Sequence, residues 1–180
     1  MLASVATIAS LVSFALASRE ARAVIDVNVC ATLGDSEHYG YLDMKHFDGC
    51  NAVIDDCVKS FEAGENPWAT ASCVAAATCW GPESLNQYFQ CKNESYDPAS
   101  ALDLDVNVYA SVLGLEVDVD VNVDLSFEQY NSFIDATISL VGSDGLPEST
   151  DFLKDYFWAP FANGADTVSY DELNTYVHRA

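Results

Sequence analysis

The chain has 180 residues, 50% of them hydrophobic, which is enough for one domain with its own core and too few for two large ones. Its 28 Asp and Glu stand against 7 Lys and Arg, and the formal charge of −21 repels phosphate backbones and anionic lipid. Nucleic acid and membrane surfaces are excluded as partners on that ground, whereas basic proteins and cations are favoured; an aromatic content of 12% excludes a disordered acidic chain.

Residues 2–17, LASVATIASLVSFALA, carry no charge and are too short for a membrane span. They read as the apolar core of a signal peptide, although no Lys or Arg precedes them. Two small-x-small sites are candidates for cleavage, after Ala17 and after Ala23, the first favoured as the signal cut with SREARA trimmed later. Residues 1–23 are thus expected to be a signal peptide with a short pro-segment, and 24–180 a single secreted, extracellular domain. The cysteine count agrees, because all six lie between Cys30 and Cys91 and an even number in an exported chain suggests three disulfides. Zinc is disfavoured, since no C-x2-C or H-x3-H element occurs.

Part 24–95 is predicted to be helical and disulfide-rich. Asp48 or Asn51 starts a helix whose apolar residues Val53, Ile54, Cys57, Val58 and Phe61 recur at i, i+3, i+4 spacing, and Gly64 ends it. PWATASCVAAATCW opens on Pro67, is rich in Ala and stops at Gly81-Pro82, which reads as a second helix; a third follows from Glu83 to Cys91. The short connection makes the first two antiparallel. Cys50 and Cys57 then sit two turns apart on one helix and Cys73 and Cys79 at similar spacing on the other. Of the 15 pairings that six cysteines allow, this geometry prefers nested Cys57–Cys73 and Cys50–Cys79 bridges, with Cys30 tied to Cys91. Asn93-Glu94-Ser95 in the polar stretch KNESYDPAS is an N-glycosylation acceptor.

The middle, LDLDVNVYASVLGLEVDVDVNVDLS, alternates apolar and polar residues with the period of a half-buried strand. A β-hairpin over 101–125 is predicted, with strands at about 102–109 and 115–124. A third strand is expected from the related Ile25-Asp26-Val27-Asn28-Val29. The polar face of this small sheet would carry Asp26, Asn28, Asp103, Asp105, Asn107, Asp118, Asp120, Asn122 and Asp124. Bound cations such as Ca²⁺ would relieve their repulsion, but an acidic face that keeps sheets from aggregating is the simpler account.

Part 126–180 is predicted to be helical. Ser126-Phe127-Glu128-Gln129 is a capping box opening a helix that ends at Gly142; STDFLKDYFW is a second helix, stopping before Pro160; Ser169-Tyr170-Asp171-Glu172 is another capping box. The fold class expected is therefore α+β: a disulfide-clasped helical hairpin, a small antiparallel sheet with an acidic face, and a C-terminal helical segment.

Two stretches are similar to EF-hand calcium loops, at the level of a degenerate pair. In DVDVNVDLSFEQ, Asp118, Asp120, Asn122 and Asp124 fall on alternating ligand positions, but Val123 stands where Gly turns the loop and Gln129 where a bidentate Glu closes it. Aligning Glu172 with the final ligand puts Phe161 first, Asn163 third, Ala165 fifth and Asp166 at the Gly position. The resemblance implies calcium as the one candidate cofactor and a pair that has lost tight binding; otherwise no cofactor is expected.

His38 and His46, with Asp43 and Asp48 nearby, are a weaker metal or acid–base candidate, and His178 stands alone. Carboxylate pairs such as Asp55-Asp56 and Asp171-Glu172 have the composition of a hydrolase site, but their abundance makes any one pair uninformative. No G-x-S-x-G, H-E-x-x-H or phosphate-binding glycine loop is present. The aromatic residues fall at helical spacing, as core residues do. In general plan the chain resembles the small secreted cysteine-containing proteins of filamentous fungi: a signal peptide, fewer than 200 residues, an even cysteine count and no enzyme signature. That resemblance implies a non-enzymatic, effector-like or regulatory role, here through an acidic surface. A calcium-binding protein and a carboxylate-dependent hydrolase are the alternatives.

Overall fold

The computed structural model describes residues 29–33, 48–115, 122–144 and 150–180. The expected signal segment, the expected strand up to Asn28, His38, Asp43, His46 and residues 116–121 of the expected second hairpin strand, with Asp118 and Asp120, lie outside the described residues.

Helix α1 (Asp48–Glu62) buries Val53, Ile54, Cys57 and Val58 of the stripe that the sequence spacing predicts, together with Cys50, while Phe61 is half-buried at its end. After Gly64 (φ +87°) a 3₁₀ turn, Pro67–Ala69, is capped by Asn66, whose side chain accepts from the Trp68 N–H at 3.2 Å. Helix α2 (Ala71–Trp80) is buried along nearly its whole length, which its small Ala residues permit. Gly81 (φ 86°, ψ 137°) reverses the chain and Pro82 opens α3 (Pro82–Lys92).

Three disulfides join Cys50 to Cys79, Cys57 to Cys73 and Cys30 to Cys91, with Cα–Cα distances of 5.6, 4.6 and 5.6 Å. The first two are nested and clasp α1 to α2 as an antiparallel hairpin; the third straps the helical turn at residues 29–33 to the end of α3. These are the three pairs that the spacing prefers.

The middle of the chain departs from expectation. Residues 106–112 are not the end of a strand but helix α4 (Val106–Val112), and Asn122 and Val123 form a turn and a bend. The Asp105 side chain accepts from the Asn107 N–H at 2.7 Å and starts the helix. Val108, Tyr109 and Val112 then share a buried face, while Val106, which strand alternation would bury, is 47% exposed. An N-cap together with helical burial has outweighed the two-residue period. The hairpin over 101–125 and its acidic sheet face are therefore not formed by Asp103, Asp105 and Asn107.

Among the described residues the sheet is formed by other segments. Strand β1 (Leu125–Ser126) pairs antiparallel with β2 (Thr167–Val168), Leu125 opposite Val168 and Ser126 opposite Thr167. From β1 the chain enters α5 (Phe127–Leu140) through the expected capping box, and from β2 it enters α7 (Tyr170–Val177) through the other. Between them, α6 covers residues 150–162, with a π-helical turn at Leu153–Trp158. Pro160 does not stop this helix: it lies in the first turn after the π segment, where the missing N–H is tolerated, and Asn163 in the left-handed region (φ 49°) ends the element.

The α+β class and the disulfide-clasped hairpin are thus as expected, and among the described residues the sheet consists of two short strands. One hydrophobic cluster runs from Leu33 to Val177. Its C-terminal part is a chain of ring contacts linking Phe127, Trp158, Tyr130, Phe161 and Tyr176 at 5.0–5.7 Å, so those aromatics are core residues. Buried Asn86 ties α3 to the C-terminus: its Nδ2 donates to the Val177 and Arg179 carbonyls at 2.8 and 2.7 Å, and its Oδ1 accepts from the Tyr96 hydroxyl at 2.8 Å. No helix among the described residues is long and apolar enough to cross a membrane.

Candidate functional site

The charged surface gathers where three segments meet: residues 102–105 before α4, residues 122–124 before β1, and residues 167–172 from β2 into α7. The first segment is fixed by its backbone. The Asp105 N–H donates to the Trp68 carbonyl at 2.9 Å, and the Leu104 N–H to Asn174 Oδ1 at 2.8 Å. Asn174 Nδ2 in turn donates to Asp103 Oδ1 at 2.9 Å, and the Tyr170 hydroxyl donates to the Leu104 carbonyl. The second segment is held by the Tyr109 hydroxyl, which donates to the Val123 carbonyl at 2.7 Å. The two tyrosine rings meet edge to face, centroids 5.2 Å apart.

Carboxylates surround this pair. Burial, then Asp103, Asp171 and Asp105, raise the Tyr170 hydroxyl above the ordinary tyrosine value. Burial with Asp124 and Glu172 pushes Tyr109 up to about 12. Asp103, Asp124, Asp171 and Glu172 are exposed and Asp105 half-buried. Their concentration is compatible with folding because Asp105 caps α4 while Asp171 and Glu172 lie in the first turn of α7, where the positive ends of helix dipoles offset repulsion. Among the described residues one ion pair is made, Lys92 Nζ to Glu62 at 2.8 Å, and it involves none of these acids.

The candidate cation positions separate into two groups. Asn122 and Asp124 are described and exposed, and Asp124 Oδ2 accepts from the Thr167 hydroxyl at 3.5 Å; Asp118 and Asp120 lie outside the described residues. At the loop-closing positions, both side chains are engaged in capping. Gln129 Oε1 accepts from the Ser126 N–H and hydroxyl, each at 2.9 Å, and its Nε2 donates to the Leu113 carbonyl at 3.1 Å. Glu172 Oε2 accepts from the Ser169 N–H and hydroxyl, both at 2.8 Å, which lowers its pKa. Among the described residues no group of three or more His, Cys, Asp or Glu is placed to hold a metal ion.

Other candidates are dispersed. Asp55 and Asp56 lie in α1 and Asp48 opens it. His178 lies between two carbonyls, Nδ1 2.7 Å from that of Asn174 and Nε2 3.1 Å from that of Leu102, and packs near Trp68. Asn93 follows α3 and is exposed.

The sequence singled out Asp103, Asp105 and Asp124 for the acidic face, and the structure does bring them together, around helix starts rather than along strands. Tyr109, Tyr170 and Asn174, which organise the patch, have no signature of their own. The available signal was the repeated capping pattern at Asp105, Ser126 and Ser169, which marks where helix N-termini collect. No protein-family model matches the chain, and neither a curated protein nor a solved structure is detectably similar to it.

Proposed function

We propose that this is a small secreted, non-enzymatic protein with a regulatory, signalling or effector-like role, and that the patch of Asp103, Asp105, Asp124 and Asp171 docks a basic partner. The convergence of these carboxylates on the Tyr109–Tyr170 pair carries the reading. Acids gathered beside buried Tyr109 and half-buried Tyr170 favour association with Lys- or Arg-rich surfaces and speed the encounter. Three disulfides suit an oxidising, extracellular compartment. N-terminal sequencing of protein recovered from the medium should begin after Ala17 or Ala23; a chain retained in the cytosol with Met1 intact defeats the export part of the proposal.

The docking part is tested by titrating a lysine-rich peptide against two triple variants of equal charge. Asp103→Asn, Asp124→Asn and Asp171→Asn together should weaken binding about 5- to 30-fold, if each exposed charge contributes roughly 0.3–0.7 kcal/mol. Asp56→Asn, Asp144→Asn and Asp155→Asn, at exposed positions away from the patch, should weaken it much less. Equal losses would mean that bulk charge, and no particular surface, attracts the peptide.

A second reading, a weak divalent-cation site over Asp118, Asp120, Asn122 and Asp124, is favoured by a structural repeat. In both C-terminal units an apolar strand residue is followed by a Ser cap and a helix, and the two join through Leu125 opposite Val168. Calorimetric titration with Ca²⁺ and Mn²⁺ decides it, and absence of binding below millimolar concentration rejects it.

A further inference from the structure

We propose that Asn93 carries an N-linked glycan on its side-chain Nδ2. The inference rests on the export reading above and goes beyond it, because it concerns a modification and a surface that the acidic patch does not involve. Asn93 is the first residue after α3, in extended conformation (φ −141°, ψ 100°), with its own N–H spent on the Phe89 carbonyl at 2.8 Å. Its Oδ1 accepts from the Ser95 N–H at 3.0 Å and from the Ser95 hydroxyl at 2.6 Å. Both contacts fall on the oxygen, so the amide is oriented and Nδ2 lies on the side away from Ser95.

Asn93, Glu94 and Ser95 are all exposed, yet the chain on either side is anchored. Cys91 is bridged to Cys30, and the Tyr96 hydroxyl is bonded to buried Asn86. A sugar on Nδ2 therefore displaces no packed side chain and breaks neither of the Oδ1 bonds. The sequence Asn-Glu-Ser supplies the acceptor and the hydroxyl two residues on that this modification requires.

The donor is an oligosaccharide linked through its anomeric carbon to a lipid diphosphate. Nδ2 forms the new bond to that carbon, the carbon–oxygen bond to the diphosphate breaks, and the lipid diphosphate leaves with the bonding pair. Nδ2 releases one proton, and no oxidation or reduction is involved.

The full chain, secreted from a glycosylating eukaryotic host, is analysed by intact-mass spectrometry before and after treatment with peptide N-glycosidase. The wild type should exceed its polypeptide mass by one glycan and, on treatment, fall to about 1 Da above that mass, because Asn93 is converted to Asp. Ser95→Ala and Asn93→Gln should lack the added mass, and Ser95→Thr should keep it. A secreted wild type at the bare polypeptide mass overturns the proposal. If the native leader fails to export the chain, the export reading fails separately, and the same mass measurement on residues 24–180 behind a proven leader still decides the glycan.

Discussion

The nested bridges give a prediction whose size follows from the loops they close. Cys50–Cys79 spans 29 residues and encloses Cys57–Cys73, which spans 16. With the inner bridge intact, opening the outer one frees only the two arms between them, 29 − 16 = 13 residues in all, and not the whole segment. Loop-closure entropy for that length corresponds to ~3 kcal/mol at 25 °C. The double variant Cys50→Ala, Cys79→Ala should therefore be destabilised by ~3 kcal/mol while keeping its helical circular dichroism, since α1 and α2 still share a buried face. With a urea slope of roughly 2 kcal/mol/M, the unfolding midpoint should fall by about 1.5 M. A fall below about 0.5 M with unchanged slope would refute the nested arrangement as a source of stability, and loss of the helical signal would refute the claim that packing holds the hairpin.

Two further outcomes are expected. Gly81 sits at φ 86°, ψ 137°, a region nearly closed to side chains, although a Cβ there would meet nothing within 4 Å. Gly81→Ala should thus cost about 1–3 kcal/mol in urea unfolding through backbone strain alone, and an unchanged midpoint would show that the α2–α3 turn can relax. Alkaline pH should also destabilise the fold. Burial raises Tyr130 and Tyr176 well above the usual value and, with Asp124 and Glu172, Tyr109 to about 12. The neutral phenols are therefore favoured in the folded chain, so stability is complete below the unfolded value of about 10 and is lost as pH rises from there through the folded values. The urea midpoint should be lower at about pH 11 than at about pH 8, and equal midpoints would contradict the assignment.

Legibility from sequence followed the locality of the cause. The hairpin of α1 and α2 could be read because burial period, Pro67, Gly64 and Gly81 all lie within it, and the cysteine spacing then prefers the observed pairs. Both capping boxes were equally local. Over residues 102–109 the alternation of Val with Asp and Asn is compatible both with a strand and with a short capped helix. The choice was made by contacts distant in sequence, including the Asp105 N–H to Trp68 and Leu104 to Asn174. The pairing of Leu125 with Val168 spans 43 residues and has no local cause, so alternation within 101–125 does not indicate it. The acidic patch was half legible: its carboxylates were named, but the tyrosines that gather them belong to α4 and α7 and meet only in the folded chain.

The confinement of all six cysteines to residues 30–91 divides the molecule by the kind of bond that holds it. The part up to Cys91 is wired covalently, whereas α4 to α7 are held to it by reversible contacts, such as Tyr176 on the Ala77 carbonyl and Asn86 on the C-terminus. Opening is cheapest where no covalent strap must be respected, so native-state fluctuations should start in the later half. That half also carries the carboxylates around Tyr109 and Tyr170. The protein thus pairs a permanent anchor with an adjustable face, and substitutions that retune the face leave the anchor's cross-links untouched.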